Sequence, residues 1–139
     1  MAEEIVHLFR CADEGGESTV PAGSRIVLLF GWVAKNRGLV QAFLNAQTTT
    51  ISLNGAAPID ISNSYGPIRQ VPVPDGRAFA SDVRHDTGVT LSAGQSLQTD
   101  GTIVVSNPVV DFFDEATHRP VFFQPGEKNS FSCRITASA

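Results

Sequence analysis

The sequence predicts an all-β fold, a two-layer antiparallel β-sandwich with one short helix near residues 38–46. About seven to nine short runs of β-branched, aliphatic or aromatic residues are separated by turn signals, a spacing typical of sandwiches. The run with helical spacing contains Leu39, Val40, Phe43 and Leu44. A helix of about two turns is not stable alone, so its apolar face is expected to pack against the sandwich.

The strands at the start, centre and end of the chain carry most of the predicted core. Residues 25–33 form a continuous apolar run, as expected of a strand that is covered on both faces. Residues 5–9 are interpreted as a first strand. In the closing strand, residues 130–136, alternation places Phe131, Cys133 and Ile135 on one face.

Turn signals divide the middle of the chain. Asn54-Gly55 and Asp100-Gly101 are strong hairpin signals. Residues 62–76 contain three prolines and are interpreted as a long irregular connection. Residues 77–83 and 89–92 are interpreted as two separate strands.

Length and charge limit the classes of function. The 139 residues correspond to one sandwich domain, residues 1–139. A net charge of −4 with scattered Lys and Arg argues against nucleic acid as a partner. The longest apolar stretch is far shorter than the roughly 20 residues of a transmembrane helix. The acidic start, Met1 to Glu4, lacks the positive region of a signal peptide.

Cys11 and Cys133 lie near opposite ends of the sequence. Alternation points both side chains toward the core, which permits a disulfide between the first and last strands or two buried thiols. A disulfide would close a loop of over a hundred residues and contribute up to ~4–5 kcal/mol in the chain-entropy model. It would also indicate an extracellular or cell-surface setting, whereas two thiols would fit a cytoplasmic one.

Similar turn sequences precede three of the predicted strands: Pro21-Ala22-Gly23, Ser92-Ala93-Gly94 and Gln124-Pro125-Gly126-Glu127. Together with the strand ending Phe30-Gly31-Trp32, these pieces resemble immunoglobulin-like accessory modules of bacterial surface and secreted proteins. The resemblance covers residues 20–139, and it implies an immunoglobulin-like sandwich. A jelly-roll-like sandwich is the alternative that the strand pattern leaves open. The resemblance also implies a non-catalytic role as a spacer, an adhesion unit or a carbohydrate-binding module. No Cys pair brackets Trp32 as in antibody domains, and the short helix after Trp32 departs from the pattern.

Four aromatic residues are the candidates for a ligand-binding face: Trp32, Tyr65, Phe113 and Phe122. Paired phenylalanines in a strand point to opposite faces, so one ring of Phe112-Phe113 and one of Phe122-Phe123 would be exposed unless something covers it. Trp32 or Tyr65 would serve as a stacking platform for a sugar. The alternative is that both layers of the sandwich bury these rings.

Polar clusters give weak signals for chemistry. Asp111, Asp114 and Glu115 are carboxylates that could surround Ca²⁺, although a solvated acidic turn explains them better. His85 could pair with Asp82 or Asp86 in a hydrolase, but no nucleophile elbow accompanies them. No His or Cys pair has zinc-chelating spacing, and no cofactor is predicted.

The sequence therefore predicts a non-catalytic β-sandwich module with a binding, structural or adhesive role at a cell surface or in a secreted protein. Its expected partner is a protein or glycan surface. One alternative is a self-assembling subunit of a capsid, filament or oligomer. A second is a carbohydrate-binding module, and a small hydrolase is the least favoured.

Overall fold

The chain folds into two facing β-sheets with two short helices at their margins. A computed structural model describes residues 3–73, 76–106, 109–114, 120–123 and 128–139. The helices are α1 (Leu8–Asp13) and α2 (Arg37–Ala46). The strands, in chain order, are β1 (Glu3–His7), β2 (Glu17–Val20), β3 (Ser24–Ala34), β4 (Gln47–Leu53), β5 (Ile59–Asp60), β6 (Arg69–Val73), β7 (Gly76–Leu91), β8 (Ser96–Val105), β9 (Val109–Asp114), β10 (Pro120–Phe123) and β11 (Lys128–Ala137).

Both sheets are mixed. The first has the order β10-β9-β3-β7-β6, with β1 also paired to β3, and the second has the order β2-β11-β8-β4-β5. Most neighbours are antiparallel, but β1 runs parallel to β3 and β2 runs parallel to β11. The predicted all-β sandwich with a short helix is confirmed, and these two parallel pairs refine the predicted antiparallel pattern.

The core lies between the inward faces of β3 and of the second sheet. Alternate residues of β3 point inward and are fully buried: Ile26, Leu28, Phe30 and Trp32. The facing sheet contributes the inward residues Leu97, Ile103, Val105, Phe131, Cys133 and Ile135 to the same cluster. The rings of Phe30 and Phe131 are 5.7 Å apart between centroids, which places the two layers in direct contact.

The outward face of β3 is also largely covered, which explains its continuous apolar sequence. Val27 and Val33 alternate with the inward residues and are still buried. Val33 packs with Ala78 and Ala80 of the neighbouring strand β7. The prediction of a central strand over residues 25–33 is confirmed, because β3 pairs with β7 along one edge and with β1 and β9 along the other.

The helix predicted near residues 38–46 is α2, which carries the chain from the first sheet to the second. Asn36 begins it, since its side-chain oxygen accepts a hydrogen bond from the Leu39 amide at 2.9 Å. Val40 and Phe43 are fully buried, and the Phe43 ring lies 5.0 Å from that of Trp32. This packing supplies the stability that so short a helix lacks by itself.

The predicted first strand over residues 5–9 is wrong at its end. The strand β1 stops at His7, and α1 begins at Leu8. Leu8 and Cys11 are three residues apart, so one turn of helix brings both side chains to the same face, where both are buried. Cys11 therefore lies on a helix and not on the first strand.

The segment before residue 91 is more regular than its sequence indicates. Residues 77–83 and 89–92 were predicted as two strands, but β7 runs through as one strand of 16 residues. Its register against β3 shifts between Arg25 and Val27, and a bond from Thr87 Oγ1 to the Ile26 carbonyl, 2.8 Å, spans the irregularity. The predicted irregular connection also contains β6, where Pro72 is tolerated because β6 lies at the edge of its sheet.

Asp100-Gly101 is not a hairpin turn, because β8 continues through it. Gly101 lies opposite Phe131 of β11, and a Cβ at this position would collide with the Phe131 ring. The glycine is therefore needed for packing within a strand. By contrast, Asn54-Gly55 is a tight turn as predicted, with positive φ at both residues.

Neither helix in the described part of the chain has the length and apolar character to cross a membrane.

Truncating the β3 side chain Leu28 to alanine should destabilise the fold strongly. Leu28 is fully buried between the two sheets, so Leu28→Ala should lower the free energy of unfolding by ~2–5 kcal/mol. Urea denaturation gives the measurement. Ile59→Ala is the control, because Ile59 is 44% exposed and its loss should change the free energy by less than about 1 kcal/mol. Equal effects at the two positions would contradict the core assignment.

Candidate functional site

A concave site lies at one side of the sandwich, where β1, α1 and β2 meet. We call this cavity the edge groove; it has a volume of about 250 Å³. Its lining residues are Ile5, Val6, His7, Arg10, Cys11, Glu14 and Ser18. The groove exists because β1 belongs to one sheet and β2 to the other, and α1 joins them across the gap between the layers.

The edge groove is fixed by a disulfide between Cys11 and Cys133, which are separated by 122 residues in sequence. Their Cα atoms are 5.8 Å apart, within the range that a disulfide requires. The bond joins α1 to β11, so the disulfide alternative is confirmed, although it starts from a helix and not from a strand. Cys133 is 0% exposed and Cys11 4% exposed.

Backbone contacts hold the turn after α1 against the same strand. The Gly16 amide donates to the Cys11 carbonyl at 2.9 Å, and the Gly16 carbonyl accepts from the Arg134 amide at 2.7 Å. Gly16 has φ +77°, a conformation that side-chain-bearing residues rarely adopt. This turn sets the start of β2 and hence one wall of the groove.

The outer rim of the edge groove carries both an apolar and a charged contact point. Ile5 on β1 is 47% exposed, which is unusual for a large aliphatic residue in this fold. Arg10 Nε lies 3.2 Å from Glu14 Oε1, and both side chains are mostly exposed. An exposed pair of this kind contributes little to stability, so both groups can exchange partners at small cost.

Trp32 and Tyr65 do not form an exposed binding face. Trp32 is 0% exposed, and Tyr65 is partly buried and packs against the core. The Tyr65 ring meets those of Phe30 and Phe43 edge-on, at 5.9 and 6.2 Å between centroids. The prediction of a sugar-stacking platform at these residues is therefore wrong, because the sandwich and α2 cover the ring faces that a sugar would need.

Instead, Tyr65 anchors a buried hydrogen-bond network. Trp32 Nε1 donates to Tyr65 Oη at 3.2 Å, and Tyr65 Oη lies 3.2 Å from Thr49 Oγ1. Thr49 donates its only hydroxyl proton to Gln47 Oε1 at 2.6 Å. Tyr65 must therefore donate to Thr49, which fixes the direction of the chain of hydrogen bonds.

The network continues to the surface through Ser62. Gln47 Nε2 donates to the Ser62 carbonyl at 2.9 Å, and the Thr49 amide donates to Ser62 Oγ at 2.9 Å. Ser62 Oγ then donates to Asp60 Oδ1 at 2.6 Å. The Ser62 hydroxyl and amide hold the pKa of the Asp60 carboxyl below its usual value. These contacts tie the segment after β5 into the gap between the sheets.

Sequence reasoning missed Gln47, Thr49 and Ser62. A usable signal was present, since Gln47 and Thr49 alternate with Thr48 and fall on the same face of β4 as the fully buried Ile51. Two polar side chains on a core face require buried hydrogen-bond partners. Thr49 finds its partners in Gln47 and Tyr65, and Gln47 finds its partners in Thr49 and the carbonyls of Leu44 and Ser62.

Asp82 and Asp86, the proposed partners of His85, are both ion-paired with arginine residues. Arg69 Nη2 contacts Asp82 Oδ2 at 2.8 Å, and Arg25 Nη2 contacts Asp86 Oδ2 at 2.8 Å. A hydrogen bond from Arg25 holds the pKa of the Asp86 carboxyl below its usual value. Both carboxylates therefore serve in ion pairs across strands.

The remaining candidates lie in the least described part of the chain. The backbones of Phe113 and Phe122 belong to β9 and β10, and those of Asp111 and Asp114 to β9. The side chains of these four residues lie outside the described part, as does the whole of Glu115. Elsewhere in the described chain, no three His, Cys, Asp or Glu residues come together as a metal site would require.

Comparisons of the chain with protein-family models, with curated proteins and with solved structures found no match.

Tyr65, the only tyrosine in the chain, should titrate late. Burial raises its pKa from 10.0 to about 12. The folded state thus holds the phenol proton more tightly than the unfolded state. The resulting stability is complete below about pH 10 and is lost as the pH rises toward 12. Phenolate absorbance should show the midpoint near pH 12 when folded and near pH 10 in denaturant. Equal midpoints in the folded and denatured protein would contradict the buried network. The Tyr65→Phe variant is the control for any absorbance change that does not come from Tyr65.

The disulfide should be intact and should contribute strongly to stability. Mass spectrometry of denatured, unreduced protein should find no alkylatable thiol. Reduction should lower the free energy of unfolding by up to ~4–5 kcal/mol, because it frees a long loop in the unfolded chain. The double variant Cys11→Ala, Cys133→Ala is the control, and its stability should not respond to the reductant. Two alkylatable thiols before reduction would contradict the bond.

Proposed function

We propose that this domain is a non-catalytic β-sandwich module of a secreted or cell-surface protein, and that it binds an extended segment of a partner along β1. The observation that carries the proposal is the edge groove with Ile5 exposed at its rim. Three features support this proposal: the backbone of β1, the side chains beside it, and the disulfide at the groove.

The backbone of β1 offers an edge for strand addition. Among the described strands, β3 is the only one that pairs with β1. A strand paired on one side leaves main-chain donors and acceptors along the other side, which an extended peptide can satisfy. Within the described sheets β1 is five residues long, enough for a short run of ladder hydrogen bonds.

The side chains next to β1 favour a peptide with an apolar residue. Ile5 supplies exposed apolar surface beside a cavity, and Val6 adds apolar lining within it. Exposed apolar surface beside a concavity is typical of contact sites. Arg10 and Glu14 at the same groove can form charged contacts at the rim, where they would give specificity more than affinity.

The disulfide supports a location outside the cytoplasm. Structural disulfides persist in oxidising compartments and are rare in the cytosol of most organisms. The resemblance to immunoglobulin-like accessory modules of surface and secreted proteins agrees with this setting and with a non-catalytic role. Self-assembly is the alternative in which the extended segment comes from a second copy of the chain.

A pair of matched crosslinking variants tests the proposal. Ile5 and Ile59 are the two exposed large aliphatic residues among those described, at 47% and 44%. A photo-crosslinking residue at position 5, in protein produced in its native compartment, should give one discrete adduct. The same residue at position 59 should not.

The crosslinked partner, once identified and purified, should bind with an affinity that depends on β1. Ile5→Lys should weaken binding by about tenfold or more, because it places a charge at the buried centre of the contact. Ile59→Lys should leave the affinity unchanged. An adduct of two copies of this chain would establish self-assembly. Equal adducts from both positions, or none from position 5, would contradict the proposal.

A further inference from the structure

We propose that Cys11 is a site of thiol–disulfide exchange that opens into the edge groove and accepts a small thiol. The two sulfur atoms of one disulfide have unequal surroundings in this fold. Cys11 lines the groove and is 4% exposed, whereas Cys133 does not line it and is 0% exposed. A reagent in the groove would therefore meet Cys11 and not Cys133.

Cys133 is shielded by its own strand and by the facing sheet. Its neighbours on the inward face of β11 are Phe131 and Ile135, both buried. Thr99 on β8 donates to the Cys133 carbonyl at 3.0 Å, which holds this residue in the middle of the second sheet. Attack on the Cys133 sulfur would require the two layers to separate.

Cys11 has the opposite situation. It belongs to a six-residue helix at the margin of the sandwich, and it is one of the residues that line the cavity. A nucleophile must approach a disulfide sulfur from the side opposite its bonded partner. The groove supplies that approach at Cys11. Arg10 and Glu14 line the same cavity as an ion pair, so the groove carries no net charge from these two groups.

The exchange replaces the disulfide between Cys11 and Cys133 with one between Cys11 and the small thiol. The entering thiolate forms a bond to Cys11 Sγ, the bond between Cys11 and Cys133 breaks, and its electron pair leaves on Cys133 Sγ. That sulfur takes a proton from water and remains in the core as a small apolar thiol. Because the thiolate and not the thiol is the nucleophile, the buried Cys133 thiol re-attacks slowly, and the adduct on Cys11 persists.

The size of the groove sets the class of thiol. A volume of about 250 Å³ is several times the ≈ 30 Å³ that one water occupies in the liquid. It accommodates a thiol of a few heavy atoms and excludes a folded protein thiol. An adduct there removes the covalent tie between α1 and β11 and fills the cavity. The exchange itself requires no partner on β1. Its failure would therefore not contradict the proposed function, and failure of the proposed function would not contradict the exchange.

The unmodified protein provides the first test. Folded protein is incubated with β-mercaptoethanol, quenched with acid, alkylated and digested for peptide mass spectrometry. The mixed disulfide should be found on Cys11 and the alkylated thiol on Cys133, at a rate proportional to thiol concentration. An adduct on Cys133, adducts on both, or a rate that becomes independent of thiol concentration would overturn the proposal, since these require the fold to open first.

Two adjacent substitutions on β2 provide the second test. Ser18 lines the groove, and its neighbour Thr19 points to the opposite face and is exposed. Ser18→Trp should slow the exchange about tenfold because the indole fills the path to Cys11, whereas Thr19→Trp should leave the rate within about twofold. Equal rates in the two variants would overturn the proposal. The crosslinking experiment at position 5 is done without added thiol and tests the proposed function, so neither result of the exchange experiment decides its outcome.

Discussion

Packing of β3 between its neighbours is the constraint on which the rest of the structure depends. Its inward residues Leu28, Phe30 and Trp32 are completely buried against the second sheet, and its outward residues are largely covered as well. Burying a large side chain contributes roughly 1.5–3 kcal/mol, so this strand holds a large share of the apolar stabilisation. It also organises the sheet, because β1, β7 and β9 all take their register from it.

The structure at the two margins of the sandwich is determined by the segments that lead into β3 and out of it. On one side, α2 and the segment that carries Tyr65 fill the gap between the layers, with Trp32 of β3 as the common contact. On the other side, β1 and β2 join opposite sheets and α1 crosses between them. The first margin is filled by aromatic rings, and the second retains a cavity. A covalent bond supplies at the second margin what packing supplies at the first.

The sequence predicted the features that depend on local pattern and failed where tertiary contacts decide. The apolar run of β3, the short helix near residues 38–46 and the Asn54-Gly55 turn are local, and each is present. Asp100-Gly101 has the same local signal as a turn, but the ring of Phe131, thirty positions later, is what requires the glycine. A pattern of neighbours cannot reveal a contact made by a distant strand.

The same distinction applies to the candidate site. Alternation along a strand predicted that both cysteines point inward, and this is correct for Cys133 on β11. Cys11 also points inward, but for a different reason: helical spacing from Leu8 places it on the buried face of α1. The aromatic candidates Trp32 and Tyr65 were misplaced because their polar atoms, which suit an exposed platform, also find partners inside the fold: Trp32 donates to Tyr65, and Tyr65 bonds to Thr49.

The two margins of the sandwich differ in how much structure a ligand would have to disrupt in order to bind. At the Tyr65 margin, each hydrogen bond of the chain from Trp32 to Asp60 satisfies a polar group near the core, so a ligand entering there would have to break a connected network. At the edge groove the charged groups are exposed and the cavity is already formed, so binding there disrupts only a weak surface ion pair. Because a preformed cavity costs little to occupy, the partner proposed for β1 could bind at the groove while the core stays intact.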